Sequence, residues 1–89
     1  MSLPASVEMW SFHNRMTNIR DQILLQKVAH RIKELRSDKN ITQHDFYSDT
    51  NIHIARIEQG KQNISICTLN AICEYFELGL VEFFAGMEL

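Results

Sequence analysis

Three side chains close together between positions 51 and 56 bring distinct hydrogen-bonding chemistry: an amide at Asn51, an imidazole at His53 and a guanidinium at Arg56, with a second amide upstream at Gln43. An amide can bridge adenine, a guanidinium can bridge guanine, and an imidazole can donate to an acceptor on either, so these types suit the reading of base edges. Catalysis calls for other equipment. A nucleophile beside a base, paired carboxylates in a pocket or a phosphate cradle would be needed, and neither G-x-S-x-G nor G-x-x-x-x-G-K-[ST] occurs in the chain. No catalytic residue, no enzyme activity and no cofactor are expected. His13, His30, His44 and His53 could in principle hold a metal, but no two stand at i, i+4 beside a carboxylate, and H-E-x-x-H is absent. No metal site is expected either. Cys67 and Cys73 are six apart on an expected helix and so point to different faces, a poor arrangement for a disulfide or a metal pair. Both are expected to be small core fillers.

The elements that must position these groups follow from the periodicity of the apolar residues. From about Asn18, Ile23, Leu24, Val28, Ile32 and Leu35 recur on one helical stripe, which predicts a long first helix. The stripe spans fewer than three heptads, so it reads as a core face rather than a coiled-coil seam. A polar break, Ser37 to Asn40, ends it, with Asn40 suited to the left-handed backbone that closes a helix. Thr42 is an N-cap for a short helix from Gln43 to about Ser48, with Phe46 and Tyr47 as its apolar residues. Asp49, Thr50 and Asn51 offer three successive caps for the next helix, expected over Ile52 to Gln59, with Ile54 and Ile57 inward and Gly60 as its stop. Ser65 can cap a fourth helix carrying Leu69, Ile72, Cys73 and Phe76 on its inner face. After a break at Leu78 and Gly79, Leu80, Val81, Phe83 and Phe84 predict a last short helix that closes the core.

With 89 residues, the chain has room for one modest core and not for a catalytic domain beside it. The net charge of -2 conceals an asymmetry: all nine Lys and Arg fall between Arg15 and Lys61, against six acids there, a local net of +3. From Gln62 onward no basic residue occurs, and Glu74, Glu77, Glu82 and Glu88 give -4. Such polarity can orient a domain in the field of a polyanion, although two solvated faces of opposite sign would read the same way. No apolar run approaches the roughly 20 residues that span a bilayer, and the opening MSLPASVEMW lacks a basic segment followed by an apolar one, so a cytoplasmic location without membrane contact is expected.

The run ITQHDFYSDTNIHIARIEQGKQNIS resembles the Cro/C1-type helix-turn-helix family, also called the XRE family, whose fold is lambda-repressor-like. RIKELR (Arg31 to Arg36), ITQ (Ile41 to Gln43), RIEQGK (Arg56 to Lys61), and NIS followed by TLNAICEYFELGLVEFF each resemble family elements, over about 57 residues from Val28 to Phe84. The chain departs from the family in being about three residues shorter between Gln43 and Glu58, so that DTN stands where a turn glycine is usual. The resemblance implies an all-α, compact five-helix DNA-binding domain over residues 18–86. An N-terminal arm over residues 1–17 precedes an extended first helix, and residues 1–3 are readable as a cloning remnant. In such a domain the helix before the turn anchors on the backbone of duplex DNA, and the helix after it enters the major groove. The DNA-binding residues implied are Thr42, Gln43, Asn51, His53, Arg56, Lys61 and Asn63, with Gln43 clamping a phosphate at a helix start and Lys61 and Asn63 contacting backbone. Glu58 would repel phosphates and is expected to be structural, pairing with Arg56 or reaching the first helix. The implied function is a sequence-specific transcriptional regulator that binds a palindromic operator as a homodimer, with Trp10, Phe12, Phe83 and Phe84 as candidate interface residues, each equally readable as core. The alternative is a helix-turn-helix-fold interaction module or antitoxin-like partner of another protein, since fold does not dictate function.

Overall fold

The computed structural model describes residues 21–87, so the 1–17 arm, with Trp10 and Phe12, lies outside the described residues. Within them are five helices: α1 (Gln22–Asp38), α2 (Gln43–Thr50), α3 (Ile54–Ile57), α4 (Ile66–Tyr75) and α5 (Leu80–Ala85). None is long and apolar enough to cross a membrane. This is the all-α, five-helix architecture that the periodicity and the family resemblance imply.

Helix α1 begins at Gln22, later than the stripe suggests, because Asp21 takes extended backbone and its carboxylate accepts the N–H of Leu24 at 3.0 Å. At its other end Asn40 adopts φ 55°, and the N–H of Ile41 reaches back to the carbonyl of Arg36 at 3.0 Å. That six-to-one hydrogen bond uses an orphan carbonyl and turns the chain sharply toward α2. Thr42 and Ser65 cap α2 and α4 as expected, each side chain accepting an N–H at 3.0 Å. At α5 it is Glu82 that reaches back, accepting the N–H of Gly79 at 2.9 Å.

The core gathers Val28, Ile32 and Leu35 of α1, Phe46 of α2, Ile54 of α3, Leu69, Ile72 and Cys73 of α4, Phe76, and Phe83 of α5. Every helix thus contributes, and the short ones are held by packing rather than by their own propensity. Two expectations about burial change. Ile23 and Leu24 are 67% and 39% exposed, because the first turn of α1 runs past the core and Leu24 only rims a shallow groove with Ile66 and Phe84. Cys67 is exposed in the first turn of α4, while Cys73 alone fills the core, where burial pushes its thiol up against a smaller opposing effect of Arg31. Of the two readings open for Phe83, the core one holds: it is fully buried beneath Arg31, whose guanidinium lies 5.9 Å from its ring centroid.

Gly60 closes the helix-turn-helix segment at φ 68°, pressed against α1, with its carbonyl accepting from Gln22 Nε2 at 2.7 Å. A Cβ there would stand 3.1 Å from the Cα of Gln26. Gly60→Ala combines a left-handed backbone with that approach and is expected to cost about 1–3 kcal/mol in a chemical-denaturation experiment.

Candidate nucleic-acid interface

The polar residues of the site are borne by α2, a compressed turn and α3. Helix α2 continues through Thr50, past the expected end at Ser48, because the Thr50 hydroxyl donates to the carbonyl of Phe46 at 2.8 Å and accepts the N–H of Ile52 at 3.1 Å. Asp49, Thr50 and Asn51 are therefore not caps of the next helix. Asn51 ends α2 at φ 63°, its N–H bonded to the carbonyl of Tyr47 at 2.7 Å. It supplies the left-handed residue that a turn glycine would otherwise provide, a conformation that Asn tolerates better than most side chains.

Helix α3 is a single turn, Ile54–Ile57, and not the span from Ile52 to Gln59. The chain enters it through a tight turn at His53 (φ -77°, ψ 73°), where the N–H of Ile54 bonds to the carbonyl of Ile52 at 2.8 Å. It leaves through the tight hydrogen bonds of Gln59 N–H to Arg56 O and Gly60 N–H to Ile57 O, at 3.2 and 3.0 Å, which wind it as 3₁₀ rather than α. Ile54 is buried and Ile57 half-buried on its inner side. His53 and Arg56 are exposed on the outer side, as are Asn51 before them and Lys61 and Asn63 after.

What holds this segment is an ion pair between elements. Glu58, whose side chain is only 2% exposed, receives Arg36 of α1 in a two-point contact, Nε to Oε2 at 2.7 Å and Nη2 to Oε1 at 2.9 Å. The third nitrogen of Arg36 donates to the carbonyl of Ile41 at 2.9 Å, and Gln43 Nε2 donates to Oε1 of Glu58, also at 2.9 Å. One carboxylate thus binds the end of α1, the start of α2 and the exit of α3. Its hydrogen bond with Glu58 is the main reason the Arg36 guanidinium is held above its ordinary pKa, against the opposing effect of burial. Glu58 reaches the first helix, one of the two structural roles its position suggests.

Of the candidate contact residues, Thr42 has its hydroxyl engaged with the N–H of Asp45 and Gln43 has its amide nitrogen engaged with Glu58. One residue on this surface is not among the sequence-based candidates. Tyr47, which pairs with Phe46 as an apolar residue in the sequence pattern, is 38% exposed, and its ring lies 4.7 Å from that of His53. The sequence signal that could have found it is register: in a helix that buries Phe46, the next residue must point about 100° away.

Residues 31–85 match the family model described as the Cro/C1-type HTH DNA-binding domain, well over half of the chain. The protein belongs to that family. It is accordingly a helix-turn-helix, DNA-binding protein of the kind that regulates transcription. No curated protein and no solved structure matches the chain. The matched span, residues 31–85, takes in both helices of the helix-turn-helix and the turn at Asn51 between them.

Proposed function

We propose that this Cro/C1-type domain recognises a palindromic operator as a homodimer, presenting the segment from Asn51 to Arg56 to the major groove. In this reading Asn51, His53 and Arg56 meet base edges, while Thr42, Gln43, Lys61 and Asn63 meet the sugar-phosphate backbone. The observation that carries it is the Arg36–Glu58–Gln43 lock. It fixes the start of α2 and the exit of α3 in one rigid unit while Asn51, His53 and Arg56 remain exposed between them. Gln43 fits a backbone clamp because its amide nitrogen has a second hydrogen and its direction is set by Glu58. Pairing of two domains across a palindrome draws on apolar surface such as Val81, 83% exposed on α5, and the half-buried Phe84.

Selection of the full chain on random duplex DNA at two salt concentrations tests this reading. A short palindrome should be enriched, with affinity falling steeply as salt rises, because phosphate contacts release counterions. Arg56→Ala and His53→Ala should each weaken binding to that site by about five- to a hundredfold, the worth of one good base contact, with little change in thermal midpoint. Enrichment of nothing, with negligible binding at low salt, would move the function to a protein partner contacted by the same fold.

A further inference from the structure

The contact between Tyr47 and His53 has no structural work to do in the core. Both side chains are exposed, and Phe46, next to Tyr47, already fills the interior beneath α2. Their rings nevertheless lie 4.7 Å apart with planes inclined by 35°, across the turn that joins the two helices. Aromatic rings at this separation attract beyond the area they cover, so the pair restricts the rotation of two side chains that would otherwise sample several rotamers. His53 occupies the residue before α3 yet makes no side-chain hydrogen bond to that helix. Its ring is set by Tyr47 and not by capping.

We propose that Tyr47 is a positioning residue for base readout: its ring holds the His53 imidazole so that the ring nitrogens at the edge face a base pair in the major groove. The proposal rests on the operator-binding reading above and deepens it. A contact that limits rotation of the imidazole also limits where its polar edge points. A neutral imidazole carries one donor and one acceptor there, so its orientation determines which base edges it satisfies. A full-length α3 would set the direction of its exposed side chains through its own backbone. Here the compressed turn leaves one helical turn, and the aromatic contact from α2 supplies the missing constraint.

The experiment is selection on random duplex DNA with the full-length wild type, Tyr47→Ala, Tyr47→Phe, His53→Ala and the Tyr47→Ala/His53→Ala double variant, beside proton NMR of the free proteins. In the wild type the imidazole protons should show a ring-current shift that persists in Tyr47→Phe and disappears in Tyr47→Ala. Tyr47→Ala should lose preference at the same base pair as His53→Ala, by about three- to tenfold, the scale of one aromatic pair, against about five- to a hundredfold for His53→Ala, which removes the base contact itself. Tyr47→Phe should keep that preference, and the double variant should be no less selective there than His53→Ala. A Tyr47→Ala profile identical to wild type, or one lowered evenly at every position, would overturn the positioning role while leaving the operator reading intact. If the wild type itself enriches no site, the operator reading fails and the readout role falls with it.

Discussion

Glu58→Ala is expected to remove about 3–5 kcal/mol of stability, because it leaves the mostly buried Arg36 guanidinium without its anion. For a domain of this size, whose whole stability is typically about 5–15 kcal/mol, that is a large share. At about 4–8 °C per kcal/mol, the thermal midpoint should fall by more than about 12 °C. The loss comes from the orphaned charge rather than from the strength of the pair. Bringing two ions together out of water costs nearly as much as their attraction returns, whereas one ion left behind keeps the cost alone. The double variant Arg36→Met/Glu58→Leu should therefore lose clearly less stability than Glu58→Ala, although the Ile41 carbonyl and Gln43 amide also lose partners. Equal losses in calorimetry would mean that the attraction itself, or the three-way hydrogen bonding, outweighs the cost of the stranded charge. Specific DNA binding should suffer in both variants, since Gln43 and the exit of α3 lose their common anchor.

This lock also shows how far the sequence could be read. That Glu58 should be structural followed from the repulsion between a carboxylate and phosphates. That its partner is Arg36 rather than Arg56 could not follow from spacing, because either arginine could reach it and only the packing of α1 against α3 separates them. The caps at Thr42 and Ser65, the left-handed Asn40 and the stop at Gly60 were legible because each is a local event determined by one or two side chains. The extent of α3 was not. Its apolar residues fit a longer helix equally well, and what shortens it is the pair of hydrogen bonds made by Thr50 together with 3₁₀ winding after Arg56. Ile23 and Leu24 mark a similar boundary: periodicity tells which face of α1 is apolar, and only tertiary structure tells where the core beneath it ends.

Phe46→Ala should cost about 3–5 kcal/mol, comparable with the loss of Glu58 but by a different route. Phe46 is fully buried, with the ring of Tyr75 at 4.5 Å edge-on and that of Phe76 stacked at 5.7 Å, so its removal opens a cavity among groups that cannot easily close in. Tyr75 has limited freedom to follow, since its hydroxyl donates to Asp49 at 2.6 Å; that hydrogen bond is the main cause of its raised pKa. Because Phe46 also anchors the middle of α2, losing it should loosen the helix that carries both Gln43 and Tyr47, and DNA binding should fall together with stability. The neighbouring Tyr47→Ala offers the contrast. An exposed side chain whose main contact is one ring should change stability by no more than about 1 kcal/mol. Adjacent aromatic residues would then divide the two tasks of α2, one holding the helix in the core and the other facing the DNA. Denaturation and binding measured on both variants test that division, and a Tyr47→Ala protein as unstable as Phe46→Ala would place both rings in the core's service.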